Sequence, residues 1–193
     1  MPEYDRHLRG EATLSDQEDL GRQLFFSTED TNCSLCHQAT PSAIDPKELF
    51  TDHMYHNTGI PENKRLRAMN GVALGTIDDG LAANPAVEDD PKQRSKFRTP
   101  TLRNVAVTGP YMHNGIFKDL RTVVLFYNRY NTLDASRRIN PETGKPFGMM
   151  QVPNTLAVKE LTHGPALTDT QVDALVAFLK TLTDARYEHL LKQ

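Results

Sequence analysis

Apolar residues first recur at helical spacing early in the chain. Leu14, Leu20, Leu24 and Phe25 share one face. Ser15 with Glu18 three residues on forms a capping box, so a helix is predicted over 14–27. Gly21 inside it costs roughly 1 kcal/mol relative to Ala and marks a close approach to a neighbouring group. A second helix is predicted over 119–130, with Asp119 as N-cap and Leu120, Val123, Val124 and Tyr127 on one face. A third starts at Thr168, where Gln171 completes another capping box. Val172, Leu175, Val176, Leu179 and Leu182 form its buried stripe. A short helix over 184–191 is expected to follow. Elsewhere the period fails. Residues 1–13 are polar and read as an extended N-terminal extension. Residues 39–96, rich in Pro, Gly, Asn and Asp, read as a long ordered excursion with short helices or strand pairs. Disorder is the competing reading for 78–95. Residues 131–166 are again loop-like, with Pro141, Pro146, Pro153 and Pro165. The expected division is an extension over 1–13, one domain over 14–183 and a C-terminal helix or tail over 184–193.

Composition narrows the function classes. The 193 residues suit one domain. Hydrophobic residues make up 38 %, thin for a globular domain. The net charge of −3 and the absence of a long basic tract argue against a nucleic-acid partner. No stretch approaches the roughly 18 to 20 apolar residues of a membrane helix, so no membrane insertion is expected. No N-terminal segment has the order of a signal peptide. Two cysteines exclude a disulfide-stapled miniprotein. The apolar content is short for the length, so something besides side chains is expected to help build the core.

The two cysteines answer that. Cys33, Cys36 and His37 form a C-x-x-C-H, the attachment pattern of c-type haem. Cysteines three apart on one helical turn can form thioethers to the two porphyrin vinyl groups, and the adjacent imidazole then points at the iron. A thioredoxin-like site would want a preceding strand, and here the preceding segment reads as a helix. A zinc site would want further ligands at metal spacing, and none stands nearby. A Cys33–Cys36 disulfide would not explain His37. The expected fold is mostly α: a c-type cytochrome domain, helices packed around one covalently attached haem, with long ordered loops. The close approach at Gly21 is then expected to be to the porphyrin.

Four stretches carry a family resemblance. They are Leu14-Ser15 and Gly21-Arg22-Gln23-Leu24-Phe25 leading into the haem motif; Phe50-Thr51-Asp52 with His56-Asn57-Thr58-Gly59-Ile60-Pro61; the unbroken run from Phe97 to Gly115; and Leu120 to Asn128 together with Leu167 to Leu182. The third is the most specific. Together they resemble the C-terminal domain of the bacterial di-haem cytochrome c peroxidase and MauG family, over about Tyr4 to Thr183. The resemblance implies a usual plan of two haem domains in one chain. The peroxide-binding haem belongs to the N-terminal domain and the electron-transfer haem to the domain matched here.

The resemblance also assigns residues. His37 is the proximal ligand. Tyr127 falls where the peroxidases place a methionine and MauG-like proteins a tyrosine, which makes it the first candidate for distal ligand. A phenolate there favours Fe(III). The other reading of Tyr127 is a buried tyrosine bonded to a neighbour. Met112 is the rival ligand or a packing residue, and Met149 and Met150 lie in a loop that could fold over the haem. Arg98 and Arg103 have guanidinium forks suited to haem propionates. His113 is either close to the haem edge or a satisfied structural histidine. The family's interdomain calcium maps onto the backbone carbonyls of Thr108 and Pro110; its remaining protein ligand belongs to the other domain. Many members carry a Trp two residues before the first Cys. That position is Thr31, and the chain has no Trp.

The leading functional expectation is a mono-haem electron-transfer domain that shuttles single electrons to or from a redox protein or second haem domain. The alternative is a hydrogen-peroxide-dependent peroxidase or MauG-type oxidase, alone or with a second haem domain. A third reading is a structural or partner-binding domain in which haem only nucleates the fold. Peroxide chemistry needs an open iron position and an acid–base group. Glu48, Glu62 and His56 are available, but nothing in the sequence places them over the iron. Haem c is attached outside the bacterial cytoplasmic membrane, so a periplasmic location is expected, with the export signal removed or the domain excised.

Overall fold

The computed structural model describes residues 1–40, 48–87 and 90–192. Its α-helices are α1 (Glu3–Leu8), α2 (Asp16–Phe26), α3 (Cys33–Cys36), α4 (Lys64–Asn70), α5 (Leu120–Asn128), α6 (Val158–Leu161) and α7 (Asp169–Thr181). The strands are two-residue pairs. Tyr55–His56 (β1) runs antiparallel to Phe97–Arg98 (β2), and Ile139–Asn140 (β3) to Lys145–Pro146 (β4). The described chain is thus mostly helical, with ordered loops between its helices.

The long helices begin where local chemistry stops the chain from starting elsewhere. The Ser15 side chain accepts from the Glu18 N–H while Glu18 reaches back to the Ser15 backbone. Thr168 and Gln171 do the same for α7, and the Asp119 carboxylate caps α5 through the Arg121 N–H. Each box satisfies N–H groups that would otherwise be orphaned.

Helices α2 and α7 form the centre of the packing. A Cβ on Gly21 would stand 1.9 Å from the Ala174 carbonyl oxygen and 2.8 Å from the Phe178 Cβ. The close approach expected at Gly21 is therefore to α7 rather than to a porphyrin. Around the crossing, Tyr4, Phe25, Phe50 and Phe178 form an aromatic cluster. Phe178 lies 5.1 Å from Tyr4 and 5.2 Å from Phe25, ring centre to ring centre. A second cluster joins Phe117, Phe126 and Phe147 at 5.2 to 5.7 Å.

Other sequence expectations change. Residues 1–13 are not an extended appendage: α1 buries Tyr4 and Asp5 against the core. Its partners are Phe50, Phe178 and Arg103, all distant in sequence, so no local period announces them. The face of α5 is also rotated. Leu120, Thr122, Leu125, Phe126 and Asn128 are buried, while Val123, Val124 and Tyr127 are half-buried at its border. Asn128 goes under because it pairs with the Leu167 backbone in both directions. The short terminal helix expected over 184–191 is present, as a 3-10 helix over Ala185–Lys192. Within 78–95 the chain makes 3-10 turns at Leu81–Ala83, Pro85–Val87 and Pro91–Gln93; residues 88 and 89 lie outside the described set.

Candidate haem site

Past the end of α2 the chain turns on Asn32, held in the left-handed region at φ +57°, an affordable geometry for Asn. The turn opens directly into α3. One turn of helix places residues i and i+3 on the same side, so Cys33 and Cys36 present both thiols together. Both are unbridged and half-buried. Burial raises the pKa of Cys33 and pushes that of Cys36 up to about 12, so both stay protonated at neutral pH.

His37 follows as the residue after α3, its N–H bonded to the Cys33 carbonyl at 3.0 Å. Its Nδ1 lies 3.0 Å from the Phe50 carbonyl oxygen. A carbonyl can only accept, so Nδ1 carries the proton and the lone pair is on Nε2. Burial lowers the pKa of His37; the Phe50 carbonyl and the nearby Asp52 act in the opposite direction. The neutral imidazole thus offers Nε2 as a metal ligand.

Tyr127, on α5, lies at the border of the core, and burial pushes its pKa up to about 12. The neighbouring Thr58 side chain acts in the opposite direction and lowers it. Thr58 is itself held by the Tyr130 hydroxyl, which donates to its carbonyl at 3.0 Å. Arg129 donates to the Tyr130 oxygen at 2.8 Å and to the Gly59 carbonyl at 3.2 Å, with its guanidinium 4.0 Å above Phe126. Gly59 needs to be glycine: at φ +69° an added Cβ would lie 2.4 Å from the Tyr130 hydroxyl. Asn57, buried, ties the same loop to Val152 and Thr155. Sequence reading did not pick out Thr58 as the partner of Tyr127, although it lies inside the His56–Pro61 stretch that carried the resemblance.

The other candidates scatter. Arg98 is exposed and donates to His53 Nδ1 at 3.0 Å. Arg103, expected to face a propionate, is turned instead toward Asp5 (2.6 Å) and the Glu48 carbonyl (2.9 Å), with its guanidinium over the Phe50 ring. Met112 occupies a tight turn at φ +68° closed by the Gly115 N–H, and packs on the edge of the core. Met149 is exposed, and Met150 bridges to Pro61. His113 stacks on Phe97 at 3.5 Å, nearly parallel, with Asp78 3.7 Å away. Thr108 and Pro110 lie on one exposed turn. Of the acid–base candidates, Glu62 pairs with Arg67 and caps the Gly75 N–H, and Glu48 accepts from the Thr40 N–H. His56 comes near the motif, bonded to Asp52 at 2.8 Å. Cys36, Asp52 and His56 gather within 4.8 Å of one another. A Cys36 used as a thioether leaves that group one ligand short of a metal centre.

The chain is 48 % identical to the methylamine utilization protein MauG of Paracoccus denitrificans over 190 residues, which are 98 % of this chain and 48 % of that protein. It is 32 % identical over 139 residues to the cytochrome-c peroxidase IdrP2 of Denitromonas iodatirespirans, covering 65 % of this chain and 35 % of that one. Among solved structures, the di-haem peroxidase BthA of Burkholderia thailandensis superposes with a TM-score of 0.78 at 34 % identity, over 97 % of this chain and 47 % of that one. No family model matches the chain.

The chain belongs to the di-haem cytochrome c peroxidase and MauG family.

It spans under half the length of each of these relatives. Membership in the peroxidase and MauG family implies c-type haem, and the donor set fits one. Two unbridged thiols stand on one turn, and a neutral imidazole has its lone pair on Nε2. Among the described residues no helix is long and apolar enough to cross a membrane.

Proposed function

We propose that this chain is a mono-haem electron-transfer domain of the family, equivalent to the C-terminal half of its two-domain members, with the cytochrome unit over 14–183. Cys33 and Cys36 would hold the porphyrin by thioethers, His37 Nε2 would ligate the iron, and Tyr127 would be the second protein ligand. Haem bound there supplies a one-electron Fe(III)/Fe(II) couple. The residues of the chain do the rest. The Phe50 carbonyl fixes the His37 tautomer, and the Thr58 side chain neighbours the Tyr127 phenol. Arg129 and Tyr130 hold the loop that carries Thr58.

The observation that carries this reading is the pair of unbridged thiols on one helical turn beside an imidazole whose Nδ1 is held by the Phe50 carbonyl. Were His37 and Tyr127 both to ligate the iron, no position would be left for peroxide. The partner in this reading is a redox protein or a second haem domain, and the location is periplasmic, where haem c is attached. The exposed Thr108 and Pro110 carbonyls would contribute to a calcium site only once such a domain completes it. The second reading, a peroxidase or MauG-type oxidase assembled with another haem domain, draws on the names and greater length of the relatives.

An optical and EPR spectrum of the ferric holoprotein tests the proposal. A six-coordinate low-spin haem that peroxide leaves unchanged is expected, and Tyr127→Phe should abolish that ligand signature. A five-coordinate high-spin haem that reacts rapidly with peroxide would favour the oxidase reading. An unaltered spectrum in the Tyr127→Phe protein would remove Tyr127 from the ligand set.

A further inference from the structure

The hydrogen bond that orients His37 comes from a residue in an unusual backbone state. Phe50, whose carbonyl receives Nδ1, lies at φ +56°. Bulky residues rarely adopt the left-handed region, and they persist there only where surrounding structure holds them. Three successive carbonyls show what holds this one. That of Glu48 accepts from Arg103 Nε at 2.9 Å. That of Leu49 accepts from the Leu102 N–H at 3.2 Å and the Thr101 hydroxyl at 2.7 Å. That of Phe50 is then left to face His37. The Phe50 ring is fully buried, set edge-on to Tyr4 and Phe25 and covered by the Arg103 guanidinium 5.1 Å from its centre.

Arg103 joins these contacts, and its anchor is Asp5 on α1. The pair is close, 2.6 Å, and the side chains are only 14 % and 10 % exposed. An ion pair at that depth is shielded from solvent and salt, and its geometry is fixed by packing. The path from α1 to the haem ligand is therefore continuous: Asp5 to Arg103, Arg103 to the Glu48 carbonyl and the Phe50 ring, Phe50 carbonyl to His37 Nδ1.

We infer that Asp5 and Arg103 are a positioning pair for the proximal histidine, setting the orientation of the His37 ring and the strength of its Nδ1 hydrogen bond. The inference rests on His37 ligating the iron as proposed above. Its physical content is second-sphere tuning. A ligating imidazole that donates its other N–H to a carbonyl is a more basic ligand and favours Fe(III). Slackening the 48–50 segment weakens that bond and shifts the balance toward Fe(II).

The test uses the holoprotein with Asp5→Asn and Arg103→Lys. Asparagine keeps the shape and removes the charge; lysine keeps the charge and cannot span Asp5 and the Glu48 carbonyl as a fork does. Three quantities are read: the midpoint potential, the low-spin ferric EPR g-values, which report the axial ring plane, and the melting temperature. Val172→Ala, in the core on α7, provides a destabilised protein with the segment intact. The expected result is a more positive potential and altered g-values in both Asp5→Asn and Arg103→Lys, no larger in the double variant than in the stronger single one, and neither change in Val172→Ala. Lower melting with potential and g-values like the parent would overturn the inference and leave the pair merely structural. So would equal shifts in Val172→Ala. A parent protein lacking a histidine-ligated low-spin haem would overturn the ligand reading itself, a different failure from an unmoved potential.

Discussion

The His113 ring lies flat on Phe97 and is only 20 % exposed, with Asp78 at its edge. Burial lowers its pKa below 6.5, and Asp78 offsets this in part. In the unfolded chain the group titrates at its ordinary value, so between that value and the lowered one the unfolded state binds the extra proton. Stability contributed by the neutral ring is present above about pH 6.5 and is lost as the pH falls through that window. Denaturant melts at pH 7 and pH 5 should show this loss, and His113→Phe, which keeps the stack, should shrink it; an equal loss in both proteins would contradict the assignment. The residue scale is also where sequence was most and least readable. Cys33, Cys36 and His37 announce themselves because their spacing is the chemistry. Arg103 does not: a guanidinium fits a propionate or a carboxylate equally well, and Asp5 lies too far along the chain to be paired with it by inspection.

At the level of elements, α2 and α7 are defined by their first turns and by one glycine. Gly21→Ala would gain helix propensity worth about 1 kcal/mol, yet the new methyl group would sit inside the Ala174 carbonyl. The helices must move apart, and overpacking of this kind costs about 1–3 kcal/mol, occasionally more. Because main-chain atoms cannot swing aside as a flexible side chain can, the cost falls at or above the top of that range, and the net expectation is a loss of about 2 kcal/mol or more in urea unfolding. A neutral or stabilised Gly21→Ala protein would mean that the helices lie farther apart than described. Both capping boxes were visible in sequence because they are local rules of three residues. The close approach at Gly21 was visible too, but its partner was not, since a glycine records only that something is near. Helix α1 escaped notice for a related reason. Six residues are too few to show a period, and its contacts with Phe50, Arg103 and Phe178 are all long-range.

Over the whole molecule, a side-chain core built from 38 % hydrophobic residues is expected to rely on a bound apolar body. Replacing both Cys33 and Cys36 with Ser should therefore give a protein that retains little haem and melts well below the holoprotein, with reduced cooperativity by circular dichroism. Equal melting would show that the protein core suffices. Tyr127 was reachable from sequence only through the family pattern, because the loop that brings Thr58 to it is fixed by Asn57, Arg129 and Tyr130, drawn from separate segments. The pairing of α2 with α7 has a consequence in time. Ala174 and Phe178, which pack on Gly21 of α2, lie on the far side of the long middle of the chain. Contacts so distant in sequence form late. An attachment enzyme outside the membrane can therefore meet the two thiols before α7 has docked on α2, and docking completes the core after that chemistry is done.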